Sequence, residues 1–131
     1  MRILIAEDDL ISRKFILKML SNYGECDVTV DGMEALDAYM LAYKEKNPYQ
    51  LVCLDIMMPK IDGLRVLKAI RALEEQQNVP PAERAKIVML SALSEAEYVN
   101  TAFESGCEAY AAKPLDTEKF KEVLAKLGFY A

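Results

Sequence analysis

A doubly wound α/β domain is what this sequence predicts, and three observations predict it. Short, almost continuously apolar runs alternate with segments of helical periodicity. Those runs end in polar or charged residues. There is enough chain, 131 residues, for one self-sufficient core. Near-continuous apolar strands imply a parallel sheet covered by helices on both faces. Right-handed crossovers then restrict the topology to a doubly wound sandwich.

The elements follow in order. Residues 3–6 form a first apolar run, closed by Glu7-Asp8-Asp9. Leu10, Ile11, Phe15, Ile16, Leu17, Met19 and Leu20 recur at helical spacing until Gly24. Residues 26–30 alternate as a short strand, and Asp31-Gly32 marks a turn. Met33, Leu36, Met40 and Leu41 predict the core face of a second helix, ending before Asn47-Pro48. Leu51-Val52-Cys53-Leu54 is a buried strand that stops at Asp55.

After Pro59, Ile61-Asp62-Gly63 predicts a turn with Gly63 at an unusual backbone angle. Leu64, Val66, Leu67, Ile70 and Leu73 mark the third helix, and Gln76 to Ala85, with Pro80-Pro81, a loop. Residues 87–90 are a second wholly apolar strand, stopping at Ser91. Ser94 and Glu97 have the spacing of a capping box for a fourth helix, ending at Gly106. Residues 109–112 form the last strand before Lys113-Pro114. Asp116 or Thr117 opens a final helix, with Phe120, Val123, Leu124 and Leu127 on one face and Gly128 closing it.

Composition excludes several function classes. The formal net charge of −5 argues against a nucleic-acid surface, which needs clustered Lys and Arg. The chain has no His, so imidazole catalysis and His-ligated metals are excluded. Cys26, Cys53 and Cys107 have no C-x-x-C spacing and read as small apolar residues in a reducing compartment. There is neither a membrane-length apolar run nor a signal peptide, so a cytoplasmic chain without membrane contact is expected.

Sites in doubly wound sheets lie beyond the carboxyl ends of the strands. Glu7 and Asp8 end the first strand, Asp55 the third, Ser91 the fourth and Lys113 the fifth. Taken singly, each has an ordinary explanation: a helix cap or solvated loop, a strand-end hydroxyl, a surface lysine. Asp9 fits such an explanation, as an acid in the first turn of a helix. Together the others form three carboxylates, a hydroxyl and an ammonium on one edge. Clustered carboxylates favour a hard cation, and Mg²⁺ suits oxygen ligands. Carboxylate, Mg²⁺, hydroxyl and lysine make a cradle for a phosphoryl group, with an Asp able to act as nucleophile.

Four motifs, in order, carry a resemblance that covers essentially the whole chain. Ile5-Ala6-Glu7-Asp8-Asp9, Leu54-Asp55-Ile56-Met57-Met58-Pro59 with Asp62-Gly63, Leu90-Ser91-Ala92, and Tyr110-Ala111-Ala112-Lys113-Pro114 resemble receiver domains of two-component response regulators, the chemotaxis type included. The resemblance implies a flavodoxin-like five-stranded sheet in order 2-1-3-4-5, and residues 1–131 as a single receiver domain without a visible output domain.

It implies further that Asp55 accepts a phosphoryl group from a sensor histidine kinase or histidine phosphotransfer protein. Asp8 would contact Mg²⁺ directly and Glu7 through water, with Asp55 and the Met57 backbone carbonyl completing the metal site. Ser91 and Lys113 would each hold a phosphoryl oxygen, and Lys113-Pro114 would be a cis peptide. Phosphorylation would draw Ser91 inward and let Tyr110 rotate from exposed to buried. The face made by the fourth helix, fifth strand and fifth helix, with Glu97, Tyr98, Thr101, Tyr110 and Lys119, would then change its affinity for a downstream effector or for a second copy. Such a domain is not an enzyme in its own right.

Two other readings stand beside it: a receiver-like interaction module that is never phosphorylated, and a phosphatase on the same architecture. A dehalogenase-type phosphatase needs an acid two residues after the nucleophile, where this chain has Met57. The apolar Met57 and Leu93 also depart from chemotaxis-type receivers, in which polar residues there help orient attacking water; slow loss of phosphate is therefore expected.

Overall fold

A computed structural model describes residues 1–131, apart from the side chains of Leu93 and Ser94. Five strands, β1 (Arg2–Ala6), β2 (Glu25–Thr29), β3 (Leu51–Asp55), β4 (Lys86–Ser91) and β5 (Ala109–Ala112), form one parallel sheet in the order β2-β1-β3-β4-β5. Between and after them run α1 (Leu10–Leu20), α2 (Gly32–Lys44), α3 (Gly63–Gln76), α4 (Val99–Glu104) and α5 (Thr117–Lys126). Among the described residues, no helix is long and apolar enough to cross a membrane.

Period-two alternation sends the strand residues into two cores. Leu4, Val52, Leu54, Ile87 and Met89 face Tyr39 of α2, Val66, Leu67 and Ile70 of α3 and Ala102 of α4. Ile3, Ile5, Cys53, Val88 and Leu90 face Ile16 and Leu20 of α1 and Phe120 and Leu124 of α5. Every residue of β3 is buried, which is why its sequence shows no alternation.

Several local expectations change. In α2 the core face is Ala35, Tyr39 and Ala42 with Leu36 half-buried against it, as expected, while Met33, Met40 and Leu41 are exposed. The sheet surface under α2 leaves room for small side chains and one ring, so the larger aliphatic residues turn outward. In α1, Leu10 and Ile11 are likewise exposed, and Ile16, Met19 and Leu20 do the packing. Strand β2 begins one residue earlier than its alternation suggests.

Gly63 is needed for space rather than for backbone angle. A Cβ there would sit 2.1 Å from the Asp55 carbonyl oxygen, and the Gly63 amide donates to Ile56 O at 2.7 Å. The positive φ in this turn belongs to Lys60, at 69°. Asp62 caps α3 instead of simply turning the chain, accepting from the Arg65 amide at 3.0 Å.

A 3-10 turn (Leu93–Tyr98) precedes α4, so Ser94 lies within a helical segment rather than before one. The acid that reaches back is Glu95, not Glu97: its carboxylate accepts from the Ala92 amide at 2.8 Å. The expected cap from the Ser94 hydroxyl lies outside the described residues. The loop after α3 contains a 3-10 turn, Pro81–Glu83, and is fastened at its end by Glu74, which accepts from the Ala85 amide at 2.9 Å.

Candidate functional site

Parallel register brings the strand ends together. Ala6 lies beside Leu54, so Glu7 follows β1 alongside Asp55. Asp55 lies beside Leu90, which puts Ser91 one step beyond it. Ser91 pairs with Ala112, and Lys113 follows. Glu7, Asp8 and Asp55 each offer a carboxylate oxygen within 4.8 Å of the others. Glu7 and Asp55 are buried and Asp8 is exposed at the mouth. Asp9 is not part of the group; it caps α1, accepting from the Ser12 amide at 2.8 Å, which holds its carboxyl below the usual range.

Lys113 supplies the countercharge. Its Nζ lies 2.5 Å from Glu7 Oε1 and 3.2 Å from Asp55 Oδ2. One ammonium faces two buried carboxylates, and Asp55 Oδ1 is buried with no partner among the described residues. Burial, and then the neighbouring Glu7 carboxylate, push the Asp55 carboxyl up to about 8 against the pull of Lys113. Burial lowers the proton affinity of Lys113, but Glu7 and Asp55 outweigh it and leave the ammonium above the usual lysine range. The site is under-neutralised, and its free donors are hard oxygens. Such a set fits Mg²⁺.

The remaining groups sit around this pair. Ser91 is buried, and its hydroxyl donates to Ala92 O at 3.1 Å rather than toward Asp55. Lys113 joins Pro114 through a cis peptide, as expected. Tyr110 is 45% exposed and meets the Phe103 ring edge-on, with centroids 6.0 Å apart. Ser91, Ala92, Val99, Tyr110 and Lys113 help line a cavity of about 320 Å³ beside it. Glu97, Tyr98, Thr101 and Lys119 are all exposed. Met57 exposes its side chain at the mouth of the site.

Two contributors escaped the sequence reading. Arg13 donates to the carbonyls of Glu7 and Asp8, at 3.1 and 3.2 Å, and so fixes the acidic turn. Its one signal is its position, four to six residues beyond the acids on the following helix. Glu95 holds the Ala92 peptide, and its Oε2 is buried with no partner among the described residues. Nothing in the spacing singled it out from Glu97.

The family model of the response regulator receiver domain matches residues 3–125. The chain belongs to the response regulator receiver family. Among its relatives, the receiver is 36% identical over 129 residues to the chemotaxis protein CheY of Treponema pallidum (strain Nichols), covering 96% of this chain and 81% of that protein. It is 28% identical over 127 residues to the osmosensing histidine protein kinase SLN1 of Saccharomyces cerevisiae, where it covers 95% of itself but 10% of the kinase. Among solved structures, it superposes with a TM-score of 0.81 and 28% identity on a chain of the CheX-CheY-BeF3-Mg+2 complex from Borrelia burgdorferi, covering 97% of this chain and 88% of that one. It superposes with a TM-score of 0.77 and 25% identity on a chain of the Saccharomyces cerevisiae complex between the histidine phosphotransfer signaling protein Ypd1 and the receiver domain of its downstream response regulator Ssk1, covering 95% and 86% respectively. The strand order and the alternating helices are those of this receiver fold.

Proposed function

We propose that this receiver is a phosphorylation-controlled binding switch whose phosphoacceptor is Asp55. The observation that carries the reading is the unpartnered, buried Asp55 Oδ1 beside one shared lysine and two further acids. An oxygen in that position is a nucleophile held where an incoming phosphorus can reach it. It attacks a phosphohistidine of a sensor kinase or phosphotransfer protein; a P–O bond forms to Asp55, the P–N bond breaks, and its electron pair leaves with the imidazole.

Glu7, Asp8, Asp55 and the Met57 carbonyl would hold Mg²⁺, which when bound neutralises charge on the phosphoryl oxygens. Lys113 pairs with another phosphoryl oxygen, exchanging its hold on the Asp55 carboxylate for the new anion. Ser91 turns its hydroxyl from Ala92 O toward the phosphoryl group. That movement opens the neighbouring cavity to Tyr110, which leaves Phe103 and alters the face built from α4, β5 and α5. A downstream effector, or a second copy meeting that face, responds to the difference. The donor class is supported by the relatives, which include an osmosensing histidine kinase and a receiver solved with a phosphotransfer protein. A cytoplasmic setting is part of the proposal, supported by three unpaired thiols. The domain assists its own phosphorylation and its loss, and acts on no second substrate.

Incubation with acetyl phosphate and Mg²⁺, followed by intact mass, tests this. The wild-type chain gains the mass of one phosphoryl group, and Asp55→Ala does not. An absent adduct, or one that survives Asp55→Ala, contradicts the proposal and leaves an unphosphorylated interaction module.

A further inference from the structure

Helix α2 presents apolar residues on two sides, and only one of them is used by the core. Ala35, Tyr39 and Ala42 face the sheet, while Met33, Met40 and Leu41 are 45%, 53% and 56% exposed. Met33, Asp37, Met40, Leu41 and Lys44 follow an i, i+4, i+7, i+8, i+11 spacing and so share one outward stripe. Met40, Leu41 and Lys44 also line a groove of about 840 Å³ with Tyr43, Pro48 and Leu73. Three large aliphatic side chains on one outward stripe need a reason, since isolated exposed apolar residues are common but a contiguous row is not.

The charges on the stripe indicate what covers it. Two α2 helices laid antiparallel, with a two-fold axis between residues 40 and 41, place Met40 of one against Leu41 of the other. The same axis places Asp37 against Lys44, twice, one pair on each side of the apolar centre. Asp37 and Lys44 are seven residues apart, about 10 Å along the helix, so the two ion pairs flank the methionine and leucine contacts. One acid and one base at positions equidistant from the apolar pair make the surface complementary to itself, as an isologous interface must be. An apolar centre with a charged rim is also the usual anatomy of a protein interface.

We infer that the outward face of α2 is a homodimer interface in which Met40 packs on Leu41, and Asp37 pairs with Lys44, across a two-fold axis. This surface is separate from the acidic site and from the α4, β5 and α5 face. The dimer forms whether or not Asp55 carries phosphate. A single helix pair with its flanking groove buries an area at the low end for stable association, so the dimer forms at high protein concentration.

Sedimentation equilibrium over a wide concentration range tests the inference. The wild-type chain passes from monomer to dimer, and Leu41→Lys weakens the dimer by about tenfold or more. Asp37→Lys alone and Lys44→Asp alone each weaken it, because each places like charges together at both rims. The double variant Asp37→Lys, Lys44→Asp recovers it, since the swap rebuilds both pairs with reversed sign. All three substituted positions are exposed, and an unchanged circular dichroism spectrum confirms that each variant is folded. A wild-type chain that stays monomeric throughout overturns the inference. So does a dimer indifferent to Leu41→Lys, or a double variant that associates no better than the singles.

Discussion

Glu74 and Asp55 are both buried acids, 1% and 3% exposed, and their surroundings could hardly differ more. Glu74 closes a finished network. Its Oε1 accepts from Arg71 Nη1 at 2.6 Å, and its Oε2 accepts from the Ala85 amide at 2.9 Å and the Tyr39 hydroxyl at 3.3 Å. Arg71 in turn reaches Gly106 O and both oxygens of Glu108, tying α3 to the segment before β5. Asp55 shares one lysine with Glu7 and keeps one buried oxygen without a partner among the described residues. A carboxylate with both oxygens engaged is a structural fastener. One left short of donors at an open sheet edge is held ready for something the chain does not supply.

That contrast predicts opposite outcomes on mutation, and the largest is at the fastener. Glu74→Ala takes one partner from Arg71, leaves the Ala85 amide and the Tyr39 hydroxyl without theirs, and costs roughly 2–4 kcal/mol in urea unfolding. Phosphoryl labelling of the folded fraction is unchanged. Asp55→Ala does the reverse: labelling is lost, and the chain measured without Mg²⁺ gains stability. Equal destabilisation by the two substitutions would remove the distinction.

Lys113→Ala comes next. It removes the ammonium that faces both Glu7 and Asp55, and the initial rate of labelling by acetyl phosphate falls roughly a hundredfold. Ser91→Ala has a smaller effect on labelling, about tenfold, but it uncouples the switch. Tyr110 then remains exposed after phosphorylation, which iodination or fluorescence quenching of that ring would show. The smallest effect concerns persistence of the signal. A Met57→Asn, Leu93→Glu variant releases phosphate several-fold faster than the wild-type chain, and equal release rates would show that those two positions do not set the lifetime.

The acidic edge was legible in the sequence because each of its members sits at the end of an apolar run, where parallel register forces them together. Glu7, Asp8, Asp55, Ser91 and Lys113 all fall where strand-end counting puts them. Glu74 was not legible. On a helix it looks like one more solvated acid, and only the tertiary approach of Ala85 and Tyr39 buries it. On α2 only Leu36 of the expected face packs inward, for the opposite reason: hydrophobic periodicity marks an apolar stripe but not which stripe meets the sheet, and here Ala35, Tyr39 and Ala42 fit. Gly63 shows a third limit, because a glycine required by close approach to the Asp55 backbone looks identical in sequence to one required by a turn.

That Asp55 stays under-satisfied until a cation joins it is best checked by thermal unfolding across pH with and without Mg²⁺. With its carboxyl pushed from 3.8 up to about 8, folded Asp55 retains a proton that the unfolded chain has released. Its contribution to stability is therefore complete below the unfolded value and is lost as pH rises through the folded one. Asp9, Asp27 and Asp31 are held below the usual range and have finished titrating by about pH 5, so they do not mask the trend above it. Without Mg²⁺ the wild-type Tm falls between about pH 5 and pH 8, and Asp55→Asn abolishes that fall. Mg²⁺ raises the wild-type Tm, more at the alkaline end, where it no longer competes with the proton. A wild-type Tm that is flat over this range and indifferent to Mg²⁺ would contradict the account.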